Sequence, residues 1–484
     1  MSAYDQVITG AQIASPDRPE LLQADIAISG GTVAAIGPEL AGLADETFDA
    51  SGLVAFPGVV DVHQHWGIYN DLGEDADSES RASAQGGVTT GITYMRTGQY
   101  YLNKSGPYTE IFPEVLQRTE GRSFIDYGYH LAPMMSQHIG EIGTLIDDFG
   151  VASFKIFMFY GSHGLHGRSS DQSSFLMIPP DERYNIAHFE FIMRAIQQAR
   201  RERPDRADAI SLSLHCETPE IMTAYTKMVE EEGRLTGLEA YSASRPPHSE
   251  GLAVTIASYL AYETDLPTIN LLHLSSAKAM DAAMKMAATF PQIDFRREVT
   301  IGHLLASYED PADIGGKVNP PLRSRADVEA LWEHVLAGNV SWVASDHACC
   351  KDEQKFGDPR EDVWQGKSGF GGTEYLLPGL ITEGRRRGLG WDAMARLVCS
   401  TPAERYGTRG KGRIAAGYDA DIALVRLDDP WTVHAAESFS TQEYSPLEGY
   451  QMDARVVHTF LRGRQILADG KVTGEPAGQY LRRA

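Results

Sequence analysis

The sequence predicts an α/β protein, with βα units around a parallel sheet or barrel and a small β domain assembled from both chain ends. Two observations carry this. From about residue 55 to 410, apolar strand-like runs alternate with helical segments such as "FEFIMRAIQQARRE" and "AKAMDAAMKMAATF". Outside that interval, both ends of the chain are short strand-like pieces broken by turns. A third observation bears on function. The interior runs end repeatedly on histidine or aspartate, and one of them contains a lysine.

Taken in order, the first fifty residues contain "DQVITGAQIA", "QADIAISGGTVAAIG" and "ETFDASGLVAFPG". Gly30 and Gly31 lie between two alternating runs and signal a hairpin. The run Leu53 to Ala55, continued by Val59 and Val60, reads as a strand with Pro57 and Gly58 as a local break. It leads into "VHQHWG". Side chains two positions apart on a strand share a face, so His63 and His65 point the same way and can bind one metal ion. The chain end repeats the style of the start in "KGRIAAGYDADIALVRLD" and "ARVVHTFLRGRQILADGKVTG", where Asp469 and Gly470 form a second hairpin turn.

At 484 residues the chain has room for a large catalytic domain plus a smaller one. A formal net charge of −23 argues against nucleic acid or an anionic membrane as partner, since both call for a basic footprint. Cys216, Cys349, Cys350 and Cys399 show no pairing pattern and read as reduced thiols. The opening "MSAYDQVITGAQIASPDRPE" lacks the basic and apolar regions of a signal peptide. No apolar run approaches the roughly 18 residues of a membrane span. The expectation is a soluble cytoplasmic protein.

Barrel enzymes carry their chemistry at the C-terminal ends of the strands. Beyond His63 and His65, "AISLSLHCETPE" ends a run on His215, "PTINLLHLSS" on His273, and "NVSWVASDHACC" on Asp346. "GVASFKIFMFYG" sets Lys155 inside an apolar run, where a charged ammonium is costly. Singly, each has an ordinary explanation: a hydrogen-bonded structural histidine, a helix-capping aspartate, a lysine reaching out to solvent. Together they describe one site. A desolvated lysine has a lowered pKa, and its neutral amine can take up carbon dioxide to give a carbamate able to bridge two metal ions.

The order His-x-His, Lys, His, His, Asp, each at the end of an apolar run, resembles the amidohydrolase superfamily. More narrowly it resembles the cyclic amidohydrolases: hydantoinase/dihydropyrimidinase, allantoinase and dihydroorotase. "FPGVVDVHQH", "FKIFMFYG", "KVNPPLR", "SDHA" and "KGRIAAGYDADIAL" match in order along essentially the whole chain. The resemblance implies a (β/α)8, TIM-like barrel over residues 55–411 and a composite β-sandwich from residues 1–54 and 412–484. It implies that His63, His65, carboxylated Lys155, His215, His273 and Asp346 hold two divalent ions, usually zinc, which lower the pKa of a shared water. Asp346 would take the proton of that water and pass it to the leaving nitrogen. Tyr160 would donate to the oxyanion, and Asn319 marks where backbone groups read the substrate amide. The implied reaction opens a C–N bond of a cyclic amide or imide, hydantoin- or dihydropyrimidine-like, with allantoin or another lactam or imide ring as the alternative. A homotetramer is also implied, with "EPAGQYLRRA" a candidate interface arm.

Three stretches depart from relatives. Gly67 stands where dihydroorotases carry an arginine for the substrate carboxylate, which counts against an acidic dihydroorotate-like ring. "GKSGFGGTEYLLPG", around Gly371, has glycines where hydantoinases usually carry an asparagine. The loop "HGLHGRSSDQSSF", with His163, His166 and Arg168, is unfamiliar and reads either as pocket lining or as a solvated loop. Trp66 reads as packing under the barrel rim. Non-catalytic dihydropyrimidinase relatives lack metal ligands, and single-metal deaminases lack the lysine. The complete ligand set argues against both.

Overall fold

The computed structural model describes residues 2–161, 163–167, 171–311 and 313–483. Strands β1 (Tyr4–Ser15), β2 (Arg18–Ser29), β3 (Thr32–Gly37), β4 (Ala44–Asp49) and β5 (Val54–Pro57) open the chain. β6 (Val59–Gln64), β7 (Val88–Met95), β8 (Asp126–Leu131), β9 (Ser153–Phe157), β10 (Ser211–His215), β11 (Thr268–Leu271), β12 (Asp294–Thr300) and β13 (Trp342–Ala344) follow, separated by helices. β14 (Ile422–Thr432), β15 (Gln451–Leu461), β16 (Arg464–Ala468) and β17 (Lys471–Val472) close it.

The interior strands form one sheet in the order β13-β12-β11-β10-β9-β8-β7-β6, every neighbouring pair parallel. A bridge from Gln64 to His347, just past β13, brings its two edges together. This is a (β/α)8 barrel, nearly closed. Between strands, the helix Ile186–Glu202 buries Phe189, Ile192, Met193 and Ile196, the spacing of one helical face. Each such side chain contributes about 1.5–3 kcal/mol by leaving water.

The two ends build a separate sheet, β17-β16-β15-β14-β5-β1-β2-β3, with β4 on β1. Both expected hairpins are present, and their turns have two residues with positive φ: Gly30 (58°) with Gly31 (79°), and Asp469 (48°) with Gly470 (73°). That backbone suits the twist of antiparallel strands. The run into the His-x-His is two strands rather than one interrupted strand: β5 pairs with β1 and β14 in the terminal sheet, and β6 starts the barrel. The chain changes sheets at Gly58, where a Cβ would lie 2.2 Å from Thr89 Oγ1. The buried Lys411 ammonium ties the layers together, meeting Asp126 at the start of β8 and Asp421 beside β14.

The C-terminal segment packs against its own barrel. Tyr127 donates its amide to the Gln479 carbonyl (2.9 Å), Leu481 donates to the Tyr127 carbonyl (2.7 Å), and the buried Arg483 reaches the Tyr129 carbonyl. The barrel floor offers these unpaired backbone groups, and the arm satisfies them. No helix among the described residues is long and apolar enough to cross a membrane.

Candidate metal centre

All six predicted ligands converge at the C-terminal mouth of the barrel. His63 lies near the end of β6, Lys155 in the middle of β9, and His215 is the last residue of β10. His273 and Asp346 lie two residues past β11 and β13, in left-handed backbone (φ 33° and 56°) that turns their side chains into the mouth. Strained φ values at such positions are typical of functional sites. His63 Nε2 stands 3.1 Å from Lys155 Nζ and 3.0 Å from Asp346 Oδ1, and His65 Nε2 stands 3.2 Å from the same oxygen. The His215 and His273 rings are 4.3 Å apart, and those of His63 and His273 5.4 Å. Ligand atoms of His63, His273 and Asp346 lie within 4.8 Å of one another.

The outer nitrogens of three imidazoles are committed elsewhere. His63 Nδ1 donates to Glu298 Oε1 (2.7 Å), a carboxylate that also accepts from Trp342 Nε1 (2.8 Å) and the His273 amide (3.0 Å). His215 Nε2 donates to Glu217 Oε2 (2.6 Å), and Arg245 grips both oxygens of Glu217 and holds its carboxyl well below the usual range against the cost of burial. His65 Nδ1 meets Tyr101 Oη at 2.7 Å. Such outer partners fix the tautomer and aim the remaining nitrogen inward. Burial pushes His63, His65 and His273 far below the ordinary histidine value, so they stand as neutral imidazoles, the form that binds metals. His273 Nδ1 is buried without a hydrogen-bond partner. Burial also draws Lys155 down to about 7, against the opposing pull of Asp346 and Glu298. Its Nζ sits over the Tyr94 ring at 3.9 Å. Four imidazoles, a carboxylate and a reactive amine, packed with so few competing donors, fit a pair of divalent ions.

His65, Lys155, His215, His273 and Asp346 line a small cavity of about 40 Å3 together with Tyr160, Phe159, Leu165, Asn319 and Gly369, with His63 buried behind them. Asn319 is held in place: its Oδ1 accepts from Tyr241 (2.5 Å) and one Nδ2 hydrogen is donated to the Leu165 carbonyl (2.7 Å). The Leu165 loop is therefore pocket lining, and His166 Nδ1 accepts from the Ser368 amide (3.0 Å). Arg168 lies outside the described residues. Gly67 has φ 76°, and a Cβ there would meet Leu72 at 3.0 Å, so an arginine at that position would be strained. Trp66 is buried in the barrel core, and all four cysteines are buried and unpaired.

Glu298, Glu217, Arg245, Tyr101 and Arg96 went unread in the sequence. Glu217 alone carried a signal, two residues after His215 in "HCE". Tyr101 sits in a stretch where Tyr100, Tyr101 and Asn103 all have positive φ (69°, 53° and 52°), a conformation no sequence pattern announces.

The chain is similar to several known proteins. The model of the amidohydrolase family matches residues 247–466. An allantoinase of Rubrobacter xylanophilus is 32% identical over all of this chain and 98% of its own length. One of Deinococcus radiodurans is 30% identical over 99% of both. Among solved structures, the L-hydantoinase (dihydropyrimidinase) of Arthrobacter aurescens superposes with a TM-score of 0.83 at 27% identity, over 99% of both chains. The chain belongs to the amidohydrolase superfamily. Within it, it is a cyclic amidohydrolase, a hydrolase of C–N bonds in cyclic amides.

Proposed function

We propose that the protein opens a hydantoin-type ring by metal-assisted hydrolysis, with His63, His65, carboxylated Lys155, His215, His273 and Asp346 holding two divalent ions, zinc the first choice. The observation that carries this is the set of imidazoles whose outer nitrogens are committed to Glu298, Glu217 and Tyr101, while His65 and His215 line one cavity and the inner nitrogen of His63 lies within 3.1 Å of Lys155 and Asp346, which line it too. When bound, such ions supply a water of lowered pKa and polarise the substrate carbonyl. Lys155, whose amine burial draws toward neutrality, is the residue that would take up carbon dioxide, and its carbamate would supply the ions with an anionic ligand. Asp346, 3.0–3.2 Å from His63 and His65, is placed to accept a proton from the attacking water and return it to the leaving ring nitrogen. Tyr160 donates to the carbonyl oxygen as it gains charge. Phe157, Phe159, Leu165 and Val318 keep bulk water away. The ring amide is read by backbone groups beside Asn319, whose side chain is anchored by Tyr241 and Leu165.

Allantoin, a hydantoin bearing a ureido group, is the first substrate to try because the full-length relatives are allantoinases. A 5-substituted hydantoin and dihydrouracil come next, in view of the hydantoinase-like neighbours. The test is ring opening by zinc-loaded protein on these three, with Asp346→Asn as control. Turnover of any one, lost in the variant with the fold intact, supports the reading; two bound metals with all three rings intact refutes the substrate. We infer also a cytoplasmic homo-oligomer, a tetramer. Exposed Phe191 and Ile186 on the helix Ile186–Glu202, and Leu252, Tyr259 and Tyr262 on the helix Pro247–Glu263, support association. Light scattering should give about four times the 53.1 kDa chain mass.

A further inference from the structure

Arg96 follows the last residue of β7 and is fully buried, yet no carboxylate among the described residues pairs with it. A buried guanidinium ordinarily demands an ion partner. Here its Nη1 donates to the Thr97 carbonyl (3.0 Å), its Nε donates to Tyr160 Oη (3.2 Å), and Nη2 has no hydrogen-bond partner. Three aromatic rings enclose it, with its central carbon 4.8 Å from the Phe175 centroid, 5.1 Å from Tyr160 and 5.5 Å from Tyr101. Cation–ring attraction recovers part of the lost hydration. Two of those rings, Tyr160 and Tyr101, line the cavity.

The direction of the Arg96–Tyr160 bond follows from chemistry alone. A guanidinium only donates, so the phenol oxygen must accept, and its own proton cannot point at Arg96. Tyr160 is fastened at its backbone too, where Gln172 Nε2 donates to its carbonyl (2.5 Å). We propose that Arg96 is a positioning residue that fixes Tyr160 as a one-way hydrogen-bond donor toward the substrate carbonyl. With no carboxylate to cancel it, the guanidinium charge also falls on the phenol and strengthens the donation as the oxyanion forms. The inference rests on the ring-opening reading and deepens it.

The test compares Arg96→Gln, Arg96→Lys, Tyr160→Phe and the double variant Arg96→Gln/Tyr160→Phe in their zinc-loaded forms. Either Arg96→Gln or Tyr160→Phe should lower kcat ~100-fold, as for one lost oxyanion donor, with KM and metal content within about threefold of wild type. The double variant should be no slower than the slower single, since both remove one function. Arg96→Lys, which keeps the charge and a donor, should recover part of the rate and covers the case in which the glutamine does not fold. In parallel, 3-fluorotyrosine placed at position 160 should titrate at higher pH in Arg96→Gln than beside Arg96, a readout that needs no substrate. Losses that multiply to ~10,000-fold, or a kcat untouched by Arg96→Gln, would overturn the proposal. So would an unchanged fluorine titration, even were the wild type to open none of the rings, a failure that would count against the ring-opening reading by itself.

Discussion

Replacing Glu298 by glutamine keeps its volume and tests whether this carboxylate sets up the metal site. Oε1 accepts from His63 Nδ1 and the His273 amide, and Oε2 accepts from the Trp342 indole, all in a fully buried setting. The amide of glutamine keeps most bonds by placing its oxygen at the Oε1 position. Its NH2 then confronts the indole N–H, leaving donors unsatisfied at about 1–3 kcal/mol each. His63 meanwhile exchanges a charged acceptor for a neutral one, which lowers the basicity of its inward nitrogen. Loss of such an outer partner typically weakens metal binding by about 10–100-fold, and that is the expected change in zinc affinity at pH 8, measured by competition with a chelator. Burial holds the Glu298 carboxyl up near about 7, so the wild type itself loses this charge on acidification. The gap between the two proteins should therefore narrow as pH falls through about 7. Equal zinc affinities at pH 8 would refute the reasoning.

Three further outcomes are expected. Metal-stripped protein should regain zinc faster as bicarbonate is added and as pH rises through about 7, where Lys155 becomes neutral, and a carbamate carbon signal from labelled bicarbonate should be absent in Lys155→Met. For acid stability, His63, His65 and His273 take up protons near 6.5 when unfolded but not when folded, so the unfolded chain gains protons first. Their contribution to the stability of the metal-free protein is thus full above pH 6.5 and falls below it, visible as a lower urea midpoint at pH 5.5 than at 7.5. Tyr101→Phe should leave the melting temperature nearly unchanged while weakening zinc retention roughly tenfold, because it removes only the partner of His65 Nδ1; unchanged retention would argue that His65 needs no such anchor.

The sequence alone singled out the candidate ligands that the fold brings together, because each lies in or just after a short apolar run whose strand character is local. His63, His215, His273 and Asp346 could be read from position within a βα unit, and Lys155 from the cost of a charge among Phe154, Ile156 and Phe157. The terminal hairpins were equally legible, since two consecutive turn residues set the backbone there. The tertiary structure decided everything that depends on closure of the barrel. Glu298 meets His63 across 235 residues, and Arg245 reaches Glu217 from another helix boundary. The passage at Gly58 from one sheet to the other, and the C-terminal arm against its own barrel floor, likewise arise from packing between distant segments. A buried carboxylate, or an arginine such as Arg96, looks in sequence like any charged residue. Only its partners, brought up by the fold, give it a role.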